Sequence, residues 1–276
     1  MCRPSRAFSV LPMTVPTLTG LTAKQQQTWA SGDYGAVAAL IHPIAEETVQ
    51  AADLSAGAKV LDVAAGTGNA AIAAARCLCR VTATDYVPAL LDRAVQRAAA
   101  EHLSLETSVA DAQHLPYPDA TFDAVLSVVG AMFAPDQEQT AAELLRVCRP
   151  GGTIAMANWT PEGFIGEMFR TVGRRVPPPP GIRGPVEWGS EARLRELFDR
   201  EVQIVPRTFV FRFESAVAFA DYFKVHYGPT VKAFEALKGD DKALYEDLVE
   251  LAERHNVATD GTAKLPAAYV RVLVRR

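Results

Sequence analysis

Long apolar runs are missing from this 276-residue chain. The longest, from Ala124 to Ala134, is interrupted by Ser127 and Gly130 and falls short of the ~20 residues a membrane-crossing helix needs. A membrane span is therefore not expected. Charge of one sign is scarce as well. The net charge is −4 and no block of like residues stands out, so nothing marks a footprint for a phosphate backbone and nucleic acid is excluded as a partner. There are four cysteines, and the positions Cys2, Cys77, Cys79 and Cys148 match neither a zinc pattern nor a disulfide framework. They read as reduced thiols packed as small hydrophobes in a cytoplasmic protein. Arg3 and Arg6 precede FSVLPM, but that run is shorter than the apolar stretch of about 7 to 15 residues in a signal peptide. Residues 1 to 20 are expected to form a loose tail. Internal repeats and low-complexity segments are absent.

What is present begins at Val60. VLDVAAGTGNAAIAAA, residues 60 to 75, reads as a strand, a glycine turn and the start of an alanine-rich helix. Gly66 and Gly68 allow a sharp turn and close approach to a ligand, and the alanines keep the helix thin against a sheet. The helix N-terminus aims backbone donors at whatever occupies the turn. Gly66, Gly68 and Ala71 also satisfy G-x-G-x-x-G/A, with Asp85 about 20 residues on, so a dinucleotide is one candidate ligand. Asp62 inside the strand argues against it, because a carboxylate there repels a pyrophosphate and suits a cation.

The string DVAAGTGN from Asp62 resembles the first motif of the class I S-adenosylmethionine-dependent methyltransferases, whose cofactor carries a sulfonium and an ammonium. Ala64 stands where that family usually has a first glycine. The match extends through TFDAVLSV from Thr121 and RVCRPGG from Arg146, and WASGDY from Trp29 is similar to the corresponding stretch in the ubiquinone and menaquinone biosynthesis group. The resemblance covers residues 58 to 158. It implies that S-adenosylmethionine is the cofactor. Asp85, at the end of a second strand from Arg80, can accept both ribose hydroxyls, and Tyr86 beside it can pack on the adenine. At the end of a third strand over Leu103 to Ala110, the family pattern gives Asp111 the adenine amino group and the Ala112 amide a ring nitrogen. Val128 closes the fourth strand at the cofactor cleft. Ser127, Val128, Val129 and Gly130 there lack the acids, asparagine and prolines of enzymes acting on DNA bases, and the acidic ligand of metal-dependent catechol-type enzymes, so no metal is expected.

The alternation of strands and helices from Val60 onward predicts an α/β fold, a doubly wound seven-stranded Rossmann-like sheet. Residues 21 to 57 are expected to form N-terminal lid helices, two in number, broken near Ser31 to Asp33. Trp29 and Tyr34 flank that break, either over the cofactor or as anchors to the core. Residues 58 to 160 form the cofactor-binding core, and 161 to 276 the remaining strands with a helical cap, the whole being one domain. Strands are expected over Val202 to Phe213 and Ala268 to Arg275, and a helix around Leu194 capped by Ser190. The intervening Ser215 to Asn256, mostly helical and rich in aromatics, is far longer than a hairpin needs and reads as a substrate cap.

The function expected is metal-independent, in-line methyl transfer to an oxygen, nitrogen or carbon of a small-molecule acceptor, with positioning and desolvation supplying much of the rate. His226 on the cap is the candidate general base where the acceptor is protonated. Two alternatives stand beside it. One is a protein that binds S-adenosylmethionine or S-adenosylhomocysteine without transfer, and the other an NAD-dependent oxidoreductase on the same turn.

Overall fold

The structure is a computed structural model that describes residues 20–276; of the expected tail, residues 1 to 20, all but Gly20, which opens the first helix, lie outside the described residues. Three helices lead in: α1 (Gly20–Trp29), α2 (Tyr34–Leu40) and α3 (His42–Ala52). The first break falls where expected. Asp33 caps α2 by accepting from the Gly35 amide at 3.1 Å. The second break, which turns the two expected helices into three, comes at Ile41, where Pro43 occupies the first turn of α3 and supplies no N–H to continue α2.

The core then alternates: β1 (Lys59–Val63), α4 (Asn69–Arg76), β2 (Arg80–Asp85), α5 (Pro88–Ala100), β3 (Glu106–Val109) and β4 (Phe122–Val128). After them come α6 (Gln137–Val147), β5 (Cys148–Trp159), α7 (Phe164–Arg175), α8 (Glu191–Leu197) and β6 (Val202–Phe213). Three more helices, α9 (Ala216–His226), α10 (Gly228–Leu237) and α11 (Lys242–His255), precede the last strand, β7 (Ala263–Arg275). The seven strands form one sheet in the order β3-β2-β1-β4-β5-β7-β6. β7 runs antiparallel to both its neighbours, and the other pairs are parallel.

Parallel strands covered on both faces are largely apolar, and β1 is buried from Val60 to Val63 with Asp62 as its one polar residue. The alanines of α4, from Ala70 to Ala75, are buried too, which lets this helix lie close to β1, β2 and β4. β7 starts five residues earlier than expected because β6 pairs with it along its whole length, Phe213 opposite Ala263; Lys264 and Pro266 hide that alternation in the sequence. β3 is shorter than expected, with Leu103 to Leu105 outside it. Ser190 precedes α8 as expected, yet its side chain caps nothing.

The N-terminal helices and the inserted helices meet. Gly32, at φ +69°, lies so close to the end of α9 that a Cβ there would sit 2.7 Å from the His226 carbonyl oxygen. Asp33 donates its amide to that same oxygen at 3.1 Å. Gly228 packs equally tightly on the Thr28 carbonyl of α1.

Candidate active site

The site is built at the carboxyl end of β1, where the chain reverses into α4. Ala64 and Gly66 both take left-handed backbone conformations, φ +54° and φ +55°. Glycine adopts this region freely, whereas alanine pays for its Cβ, so the departure from glycine at position 64 falls where the backbone asks for one. Gly68, at φ +82°, begins α4, and its missing Cβ would stand 2.8 Å from the Ala94 Cβ of α5. That glycine therefore serves helix packing. Gly66 faces the cavity, where a Cβ would meet the Tyr34 ring at 3.1 Å.

Two carboxylates hold this turn in shape. Asp62, 1 % exposed, accepts from the Ala71 amide at 2.8 Å, satisfying a donor in the first turn of α4 that has no partner within the helix. Asp85 accepts from the Gly66 amide at 2.9 Å and, through its other oxygen, from the Val87 amide at 2.9 Å. Burial pushes the Asp62 carboxyl up to about 7; the Ala71 N–H opposes the shift and the charge of Asp85 adds to it. Burial likewise lifts Asp85 to about 6 against the backbone N–H groups of Val87, Gly66 and Tyr86. Two desolvated acids at the end of adjacent strands favour a ligand that brings hydroxyl donors and positive charge.

Asp85 opens onto a cavity beyond the glycine turn. Ala64, Gly66, Asp85, Tyr86 and Ala112 line one side, and Trp29 and Tyr34 of the lid line another. The wall that sequence reasoning missed is the loop after β4: Val129, Gly130, Ala131, Phe133 and Ala134, with Leu90 of α5. Its only signal was Gly130, whose Cβ would fall 2.5 Å from the Ala64 carbonyl oxygen. Ser127 fixes this loop to the turn, donating to the Val63 carbonyl and accepting from the Ala131 amide, both at 2.8 Å. Asp62 and Val128 do not line the large cavity; they border a smaller one with Tyr34 and Ala64. Asp111 lies nearby with its carboxylate taken by Gln113, whose backbone amide donates at 2.9 Å and whose side-chain amide donates at 3.0 and 3.1 Å.

A second, apolar chamber shares Trp29, Tyr34, Val129 and Phe133 with the first. The Trp29 ring meets Tyr34, Phe133 and Tyr227 edge-on, at centroid distances of 5.3, 4.8 and 5.6 Å. Trp159 of β5, Phe211 of β6, Met168 of α7 and Phe223 of α9 complete the wall. His226 borders neither this chamber nor the cavity over Asp85. Its ring lies against Tyr222, with centroids 4.5 Å apart and the planes tilted by 53°.

α1 is tied by hydrogen bonds to the loops that border the first cavity. Gln25 donates to the Phe133 carbonyl at 3.1 Å, Gln26 to the Tyr86 carbonyl at 2.5 Å, and the Gln113 side-chain amide donates to Thr22 at 3.3 Å. One helix thus touches the loops after β2, β3 and β4. Trp29 and Tyr34 consequently border the cavity over Asp85 and also pack into the aromatic core.

This sheet order, with its glycine turn and the acids at the ends of β1 and β2, defines a Rossmann-like protein, a fold that binds ligands outside the carboxyl ends of its strands. A methyltransferase domain family matches residues 61–156. Along most of its length the chain is similar to the uncharacterized protein Rv1405c of Mycobacterium tuberculosis, 41 % identical over 250 residues that make up 85 % of this chain and 89 % of that one. It is also 41 % identical over 124 residues to the demethylmenaquinone methyltransferase of Deinococcus radiodurans, covering 44 % of this chain and 52 % of that enzyme. The fold is shared with the YcgJ protein of Bacillus subtilis, at a TM-score of 0.59 and 16 % identity over 85 % of this chain and 99 % of the other. The chain belongs to the class I S-adenosylmethionine-dependent methyltransferases, in the group that carries this methyltransferase domain, and it is a methyl-transferring enzyme.

Proposed function

We propose that this enzyme methylates an oxygen, nitrogen or carbon atom of a small, largely apolar acceptor in the cytoplasm, without a metal ion. The observation that carries the reading is the aromatic chamber sharing a wall with the cavity over Asp85. In this reading residues 58 to 160 hold the cofactor, 21 to 57 form its lid, and the inserted helices of 161 to 276 close the acceptor side.

The residues fit S-adenosylmethionine, because the buried carboxylates of Asp85 and Asp62 suit hydroxyl donors and positive charge. Asp85 binds the ribose hydroxyls, Tyr86 and Leu90 flank the adenine, and Asp111 with the Ala112 amide takes its polar edge. Asp62 lies toward the charged amino-acid end, behind Ala64 and Gly66, with Gly68 shaping the turn and Val128 beside it. Bound there, the cofactor supplies a methyl group already activated on sulfur. Trp29 and Tyr34 separate the two compartments and exclude water, so that alignment and desolvation carry much of the rate. His226 has no part in this reading, since it faces Tyr222 and not the chamber. The end of β4 carries Ser127, Val128, Val129 and Gly130, which offer no acidic metal ligand.

The test is calorimetric titration with S-adenosylhomocysteine and separately with NAD, on the natural chain and on Asp85→Ala. Micromolar binding of the adenosyl ligand, loss of it in the variant and no binding of NAD are expected. Conversion of S-adenosylmethionine to S-adenosylhomocysteine that depends on an apolar acceptor then distinguishes transfer from mere binding. A protein that binds NAD and ignores the adenosyl ligand overturns the assignment.

A further inference from the structure

The aromatic chamber has a chemical peculiarity. Apart from Tyr34 and Tyr227, every residue lining it is Val, Ile, Met, Phe or Trp. Both tyrosines are driven by burial toward the neutral phenol, and among the described residues neither hydroxyl has a hydrogen-bond partner. The chamber therefore offers two neutral O–H donors and no group that takes up a proton near neutral pH. The acids in reach belong to other compartments: Asp85, which acts on Tyr34 through its charge, faces the first cavity, and Asp62 the small one beside it. His226 lies outside all three.

A wall of this kind selects among acceptors. A protonated amine or neutral alcohol needs a base to release its electron pair or to remove a proton after attack. An oxyanion needs neither. Its own pair forms the new O–CH3 bond, the pair of the S–CH3 bond stays with sulfur, and anion and sulfonium both become neutral with no proton moved. A low-dielectric chamber favours that step, because opposite charges attract strongly there and charge is cancelled toward the products. An oxyanion alone would be costly to bury. Two phenols in its lining, with a cation across the shared wall, offset that cost.

We infer that the acceptor is a planar, apolar molecule that enters already ionised as a phenolate- or enolate-type oxyanion, its oxygen held by the hydroxyls of Tyr227 and Tyr34. The inference rests on the reading of the two compartments given above. Tyr227, on the acceptor side and supplied by the α9–α10 junction, sets the specificity, and Tyr34 bridges the two compartments.

The probe is 4-nitrophenol, whose visible absorbance reports whether it is ionised. It is titrated at a pH below its own ionisation into protein loaded with sinefungin, an unreactive cofactor analogue bearing an ammonium near the position of the sulfonium. It is also titrated into protein loaded with neutral S-adenosylhomocysteine. We expect it to bind the sinefungin complex as the phenolate, at least tenfold more tightly than the S-adenosylhomocysteine complex and than neutral 4-nitroaniline binds. Tyr227→Phe should weaken it about tenfold while leaving sinefungin affinity within twofold, which also shows that the variant is folded. Binding as the neutral phenol, indifference to the cofactor's charge, an unaffected Tyr227→Phe, or no binding by the sinefungin-loaded protein overturns the inference. Failure of sinefungin and S-adenosylhomocysteine to bind at all overturns instead the cofactor assignment beneath it.

Discussion

Asp85 and Asp62 sit one strand apart, yet their burial leads to different expectations. Asp85 is to accept ribose hydroxyls, which a carboxylate does better than a carboxylic acid. With its carboxyl lifted to about 6, S-adenosylhomocysteine affinity should rise as pH goes from 5 to 7.5 and then level off. Asp85→Asn should bind roughly 10- to 100-fold more weakly at pH 7.5, the equivalent of about 1.5–3 kcal/mol for hydrogen bonds to a charged group, and should lose the pH dependence. Asp62 speaks to stability. Folded, it keeps its proton up to about 7, whereas the unfolded carboxyl releases it near about 3.9. The folded state therefore binds more protons in between, and this group's contribution is present below the unfolded value and lost as pH rises toward 7. Chemical denaturation across pH 4.5–7.5 should show Asp62→Asn losing less stability with rising pH than the natural chain, by roughly 1–3 kcal/mol. Equal slopes would mean that Asp62 is ionised in the folded protein throughout.

Among the elements, the turn between β1 and α4 carries the clearest mismatch between residue and backbone. Ala64 holds φ +54° in a conformation that costs a non-glycine residue about 1–2 kcal/mol. Glycine would remove that cost and forfeit about 0.5–1 kcal/mol of chain entropy. Ala64→Gly should thus raise the denaturation midpoint by the equivalent of about 0.5–1 kcal/mol. Gly130→Ala should act in the opposite sense, lowering stability by about 1–3 kcal/mol, because its Cβ would overlap the Ala64 carbonyl at 2.5 Å. The turn itself was legible in VLDVAAGTGN, as were the acids, since glycine spacing and an acid in an apolar strand are local signals. The β4 loop was not. Val129 to Ala134 carry no charged or titratable side chain to mark them, and they enter the cavity wall because Ser127 and the Ala157 carbonyl tie the loop to the ends of β1 and β5.

Taken whole, the molecule joins its halves through α3. Glu47 accepts from the Tyr269 hydroxyl at 2.6 Å and pairs with Arg271 at 3.2 Å and with Arg207, linking α3 to β6 and β7. Burial works against its ionisation, but the hydrogen bonds from Tyr269 and Arg207 and the charges of Arg207 and Arg271 hold its carboxyl below the usual range. Its contribution is therefore present at neutral pH and lost on acidification, the reverse of Asp62. Glu47→Ala should cost about 1–2 kcal/mol at pH 7 and leave S-adenosylhomocysteine affinity unchanged, because Glu47 borders neither inner cavity. A loss of affinity equal to that of Asp85→Asn would show that the α3 link shapes the site.

Hydrophobic periodicity and glycine placement are properties of neighbouring residues, so the alternation of strands and helices, the doubly wound sheet and the glycine turn with its acids could be read before any coordinates. Side-chain destination is not local. Trp29, Val129, Trp159, Met168, Phe211 and Tyr227 come from six separate segments, and no spacing between them reveals that they enclose one chamber. His226 and Tyr227 are adjacent in sequence, and only the packing of α9 against α2 and of α10 against α1 turned the tyrosine into that chamber and the histidine onto Tyr222. Burial then set the chemistry, because a phenol that is neutral in water ionises still less readily when enclosed by aromatics.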